Sequence, residues 1–225
     1  MDIVSVKGLN KKFKIADGEL HVLKNIDLTI PDKALAILKG RSGSGKTTLI
    51  NILGALDAPT SGEVTVNGKN ITCMSDYQKE NLRRTEIGYV FQSVSLIPMM
   101  SAFENVEFAL RLAGIEEQRK KRAEECLKMV GLGGRMHHMP QEMSGGEQQR
   151  VAIARAIAHK PKILFADEPT AELDSQTAAS VVRLFKELVE HENLSIVMTT
   201  HDMGLMDAGN VIFELEDGEI VNGKQ

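Results

Sequence analysis

The chain is organised around residues 40–48, where Gly40, Arg41, Ser42, Gly43, Ser44, Gly45, Lys46, Thr47 and Thr48 follow one another. Gly40, Gly45, Lys46 and Thr47 fill the fixed positions of G-x-x-x-x-G-K-[ST]. Before the loop, residues 34–38 form an unbroken apolar run of strand length, which suits a buried parallel strand. After it, Leu49, Ile50, Ile52 and Leu53 fall at helical spacing. Strand, glycine-rich loop and helix are the setting this pattern requires. Phosphate oxygens need many donors at close range. Glycines let successive backbone N–H groups face inward, and the helix beginning near Lys46 adds its positive end. Lys46 is expected to neutralise β and γ oxygens, and the Thr47 hydroxyl to ligate Mg²⁺. The sequence therefore predicts binding of a nucleoside triphosphate.

A net charge of −4 over 225 residues gives no general attraction to nucleic acid or anionic lipid. No apolar run approaches the roughly 20 residues of a membrane span. The amino terminus lacks a basic-then-apolar leader pattern, so a cytosolic chain is expected. Cys73 and Cys126 lie far apart without neighbouring ligands, which suggests reduced thiols rather than a disulfide or a metal cluster.

Residues 3–9 and 22–30 alternate apolar with polar and read as antiparallel strands joined by a loop at 16–19. Phe13 stands among lysines, placed either to pack on its own strand or to stack on a base. Ser75 with Gln78 and Ser101 with Glu104 have capping-box spacing and predict helix starts. Residues 87–91 read as a strand with Gln92 at its carboxyl end, where ligands of α/β sheets gather. From Ser101 helical periodicity persists to about Val130, broken near Gly114. The charge run 116–128 reads as a solvated helix face. His137 and His138 have no acid or Cys at ligand spacing.

Ser144, Gly145, Gly146 and Glu147 open a well-patterned helix, Ser144 as cap and Glu147 as its N3 partner. Two glycines at a helix start cost stability and expose N–H groups, which points to a second phosphate-binding element. Residues 163–166 form a buried-type strand ending in Asp167 and Glu168. Adjacent carboxylates there are costly unless they meet a cation or handle a proton. Asp167 as Mg²⁺ partner and Glu168 as base for a water is the economical reading. A helix striped by Ala178, Val181, Val182, Phe185, Leu188 and Val189 follows. The strand 196–200 then delivers His201, and a terminal hairpin turns at Asp217 and Gly218.

Taken together, these motifs resemble the ATP-binding subunit of the ATP-binding-cassette transporters, in order and over essentially the whole chain. Residues 40–47 look like its Walker A loop, Gln92 like its Q-loop glutamine, and residues 143–147 like its signature. Residues 163–167 look like Walker B with Glu168 as catalytic acid beside it. Residues 172–174 look like the D-loop, His201 like the switch histidine and Phe13 like the adenine-stacking aromatic. The segment 53–62 is similar to the branch serving lipoprotein release, macrolide or peptide export and cell division. Two departures are Glu147 for the usual Gln, and Asp32-Lys33 where the family often has Gly-Glu.

The resemblance implies an α/β fold: a P-loop NTPase core with a mostly parallel sheet, an antiparallel β subdomain and an inserted α-helical subdomain. One domain over 1–225 is expected, with residues 95–158 inserted into a core of 1–94 and 159–225. It implies ATP hydrolysis with Mg²⁺ held through Thr47, Gln92 and Asp167, and charge stabilised by Lys46 and His201. It implies two copies paired head to tail, each ATP lying between Walker A of one and Ser144, Gly145 and Gly146 of the other. Integral membrane subunits would be met near Gln92 and the apolar stretch Leu96, Ile97, Pro98, Met99 and Met100, leaving the chain at the inner face of the membrane. A cassette that transmits force or signal without moving a substrate is the alternative. A nucleic-acid or ribosome ATPase is disfavoured, because tandem cassettes, long coiled-coil insertions and zinc-binding cysteines are missing from the sequence.

Overall fold

The computed structural model describes every residue except 17, 203, 205–207 and 225. The two apolar patterns of the sequence build two sheets. Strands β1 (Asp2–Ile15), β2 (Gly18–Pro31), β4 (Ser61–Val66) and β5 (Lys69–Asn70) form an antiparallel sheet of order β2-β1-β4-β5. Strands β3 (Leu35–Lys39), β6 (Ile87–Val90), β7 (Ile163–Ala166), β8 (Ser195–Thr200), β9 (Val211–Glu216) and β10 (Glu219–Lys224) form the second, of order β10-β9-β3-β8-β7-β6. Within it β9, β3, β8, β7 and β6 run parallel, and β10 folds back on β9.

The central strands β3, β7 and β8 are mostly apolar because both of their faces are covered. Leu35 and Ile37 of β3 point into one core while Ala36 and Leu38 point into the other. Strands β7 and β8 divide in the same way, Leu164 and Ile196 to the first core and Phe165 and Val197 to the second. The first core lies under α3 (Ala102–Leu112), α4 (Arg119–Met129), α5 (Gly145–Ile157) and α6 (Ser175–Glu192). The second fills the space between the two sheets around α1 (Lys46–Leu53). A further helix, α2 (Asp76–Thr85), adds only Leu82 to it.

The capping boxes at Ser75, Ser101 and Ser144 are all formed, each with its N3 side chain bonded back to the cap. Asp174 caps α6 by accepting from Gln176 N and Thr177 N. One expectation needs correction. The first hairpin is far longer than residues 3–9 and 22–30, because backbone pairing continues through Phe13↔Leu20 and Ile15↔Gly18 where the side chains turn charged and the alternation fades. Register shifts around Leu9 and Lys11 bend it on the way. The loop expected at 16–19 falls partly on residue 17, outside the described residues. The break expected near Gly114 is present: α3 stops at Leu112, Gly114 and Gln118 take left-handed φ of 74° and 54°, and α4 starts at Arg119.

The sheet meets the helical layer closely at Gly88 of β6, where a Cβ would lie 2.4 Å from the Ala156 carbonyl oxygen of α5. Backbone on both sides leaves nothing flexible to yield. Gly88→Ala should therefore destabilise the chain by about 1–3 kcal/mol, read as a lower urea midpoint with an unchanged slope.

Glu107 of α3, only 5% exposed, pairs with Arg111 at 2.8 Å and Arg119 at 2.6 Å. Burial works to raise its pKa, but the hydrogen bonds and charges of Arg119 and Arg111 outweigh it and the net shift is downward. A carboxylate lowered on folding adds stability that is present above its unfolded pKa, about 4.3, and lost as pH falls through the folded value. Chemical denaturation between neutral and acid pH should show the wild type losing more stability than Glu107→Gln.

Candidate functional site

The loop between β3 and α1 is set by glycine. Gly45, the residue before α1, has φ 105°, and a Cβ there would come within 2.8 Å of Leu23 Cδ2. At Gly40 a Cβ would stand 2.3 Å from the Leu215 carbonyl oxygen. Helix α1 carries no side-chain cap, so its first N–H groups keep their donors for a ligand. The Ser44 hydroxyl is buried with no partner among the described residues. Val22, Ser42, Gly43, Gly45, Lys46, Thr47, Thr48, Gln92 and Glu168 line a cavity of about 340 Å³ at this place.

Lys46 is 4% exposed, and its Nζ donates to the carbonyls of Gly40 at 2.8 Å and Arg41 at 3.0 Å. The same ammonium stands 3.3 Å from Glu168 Oε1. His201 Nδ1 is 3.2 Å from the other oxygen, Oε2. The two adjacent carboxylates thus reach different partners. Asp167, 5% exposed, accepts from Thr47 Oγ1 at 3.2 Å and from Thr199 Oγ1 at 2.7 Å. Thr199 Oγ1 in turn accepts from Glu168 N at 2.7 Å, and Glu168 sits at φ 42°. A second cavity of about 490 Å³ adjoins through Glu168 and is lined by Thr170, Leu173, Thr200 and His201 among others.

Thr199 is the residue that motif reading missed. It is fully buried and its one hydroxyl joins both acids. The signal available was a hydroxyl following the apolar run Ile196-Val197-Met198, two residues before His201. Tyr89 was missed as well: its hydroxyl donates to Asn51 Oδ1 at 2.6 Å, and burial, then the Asp167 charge, push its phenol upward. His201 is exposed rather than packed in the core.

Gly40, Arg41, Ser44 and Asp167 join the cavity through Lys46 and Thr47. Phe13 does not line it; its ring is part exposed on the first hairpin with Lys11 Nζ 4.7 Å from the centroid. Ser144, Gly145, Gly146 and Glu147 do not line it either. There Ser144 N donates to Glu147 Oε2 at 2.9 Å and Glu147 N to Ser144 Oγ at 3.3 Å, so the carboxylate is folded back on its own cap. Leu96 packs on the helical core, whereas Met99 faces outward, 83% exposed. Between them the buried Asn105 donates from Nδ2 to the carbonyls of Ile97, Met100 and Ser101 and accepts from Ile97 N.

The donor set suits a magnesium triphosphate. Mg²⁺ is commonly held by one or two carboxylates and a hydroxyl, with phosphate oxygens and water filling the rest. Asp167 and Thr47 supply that pair, and no group of three His, Cys, Asp or Glu side chains placed to hold a metal occurs among the described residues. No helix among them is long and apolar enough to cross a membrane.

Residues 23–171 match the family model described as ABC transporter. The chain is 43% identical to MJ0796 of Methanocaldococcus jannaschii, described as an uncharacterized ABC transporter ATP-binding protein, over 97% of this chain and 95% of that one. It is 44% identical to the macrolide export ATP-binding/permease protein MacB of Escherichia coli over 97% of its own length, but spans only 34% of that relative. Among solved structures, the dimeric MJ0796 cassette bound to ADP and Pi superposes with a TM-score of 0.91 at 41% identity, covering 99% and 98% of the two chains. CbiO1 from Clostridium perfringens, part of an ABC transporter complex, superposes at 0.89 with 28% identity over 99% and 88%. The chain belongs to the ABC transporter family, as an ATP-binding subunit that hydrolyses ATP.

Proposed function

We propose that two copies of this chain bind ATP between them and that its hydrolysis drives separate membrane subunits. One observation carries the reading. Lys46, Thr47, Gln92 and Glu168 share one cavity, yet the second glycine-led helix start, Ser144, Gly145 and Gly146, lies outside its lining. A chain with two phosphate-type elements and one acid pair is complete only when a neighbour supplies the missing half. The dimeric MJ0796 cassette gives that arrangement a precedent.

In this reading the α1 amides, Gly40 to Thr48 and Lys46 hold the phosphates, and Phe13 stacks on the adenine. Ser144, Gly145, Gly146 and Glu147 of one copy close over the nucleotide of the other. Thr47, Gln92 and Asp167 would hold Mg²⁺, which neutralises charge on the phosphate oxygens when bound. Glu168 orients a water for in-line attack on the γ-phosphorus and takes its proton as the bond to the β–γ bridging oxygen breaks. ADP and phosphate are the products. Lys46 and His201 stabilise the charge that develops on the transferring group. Both side chains lie against the Glu168 carboxylate, Lys46 at Oε1 and His201 at Oε2. Arrival of the γ-phosphate gives Lys46 a competing anion and frees the base.

Residues 95–158 act as the inserted helical subdomain of a single cassette domain whose core is 1–94 and 159–225. The membrane subunits dock near Gln92 and Leu96 to Met100, which keeps the chain on the cytoplasmic face of the membrane. Support comes from outward-facing Met99 on a segment braced by Asn105, and from the permease joined to the cassette in MacB.

Glu168→Gln should keep ATP binding, lower kcat by about 10²–10⁴-fold and accumulate an ATP-dependent dimer on size exclusion. A monomer with full turnover would overturn both the base and the shared site. Lys46→Ala should weaken ATP binding by about tenfold to a hundredfold, measured by calorimetry, as expected for loss of a charge-assisted contact.

A further inference from the structure

Glu147 places a carboxylate in the first turn of α5, the helix start that on the two-copy reading faces a partner's nucleotide. An anion there would oppose the phosphates it is meant to receive. In the structure both of its oxygens are committed. Oε2 accepts from Ser144 N at 2.9 Å, and Oε1 lies 3.3 Å from Arg135 Nε. The guanidinium is steadied from its far side, with Nη1 3.0 Å from His138 Nε2. Arg135 comes from the turn before the short helix Pro140–Glu142 and has no other acidic partner among the described residues.

We propose that Arg135 is a positioning residue for ATP-driven pairing: it holds the Glu147 carboxylate folded back and balances its charge, so that Ser144, Gly145 and Gly146 meet the other copy's nucleotide without a facing anion. The inference rests on the two-copy site proposed above. The acidity of Glu147 fits this role. Its pKa is lowered chiefly by the Ser144 backbone hydrogen bond, against the opposing pull of burial, with further lowering from Arg135 and Arg150. The carboxylate is therefore ionised at neutral pH and needs its counter-charge.

The location fixes which measurement should respond. Neither Arg135 nor Glu147 lines the cavity of the single chain, so binding of ATP to the monomer should not depend on the pair. Pairing should. A two-fold dimer contains the contact twice, so a threefold loss at each becomes about tenfold in the dimer dissociation constant.

The test uses the Glu168→Gln chain with ATP, followed by analytical ultracentrifugation, with calorimetry for ATP binding to the monomer. Arg135→Ala should raise the dimer dissociation constant about tenfold and leave monomer binding unchanged. Arg135→Lys, which keeps the charge, should lose much less. Combined with Glu147→Gln, Arg135→Ala should have no further effect. Pairing unaffected by Arg135→Ala, or weakened equally with Glu and with Gln at 147, overturns the inference while the two-copy site stands. Failure of the Glu168→Gln chain itself to pair overturns that site, and this inference with it.

Discussion

The site depends on one buried ammonium and the oxygens arranged around it. Lys46 is only 4% exposed, so most of its charge must be met by the protein. Two backbone carbonyls and the Glu168 carboxylate meet it. These partners come from different strands: the carbonyls from the loop after β3, the carboxylate from the end of β7. Parallel order brings both ends to the same edge of the sheet, with His201 delivered between them by β8. The sheet topology thus precedes the chemistry, since an antiparallel arrangement would send the acids and the loop to opposite ends.

Thr199 makes that edge stiff. Its side chain accepts the Glu168 amide and donates to Asp167, so the backbone turn that separates the two acids is tied to the neighbouring strand. Glu168 consequently keeps a left-handed φ that a non-glycine residue adopts only when its surroundings hold it there. Two carboxylates adjacent in sequence are given different tasks by this twist, one directed to Thr47 and the other to Lys46 and His201.

Much of this was legible in the residues, for physical reasons. The loop at 40–48 is written in glycines, Gly40 with backbone where a Cβ would stand and Gly43 and Gly45 at positive φ, and the three capping boxes are local hydrogen-bond patterns that need no tertiary partner. What escaped was set by distant neighbours. The far half of the first hairpin pairs through backbone, which leaves no trace in side-chain alternation. Thr199, Asn105 and Arg135 act across gaps of 32, 8 and 12 residues, and their partners could not be chosen before the fold existed. The break between α3 and α4 was visible at Gly114, but not the left-handed turn at Gln118 that delays the second helix.

Asn105 has a consequence of its own. One buried amide group ties down Ile97, Met100 and Ser101, in a stretch that otherwise has little regular structure to hold it. Shape and identity are thereby encoded at separate places on this surface. The path of the chain is written inside, at 105, and the character of the exposed tip is written outside, at Met99. Outer side chains can be exchanged over evolutionary time without redrawing the contour that presents them, which lets one scaffold be refitted to new neighbours.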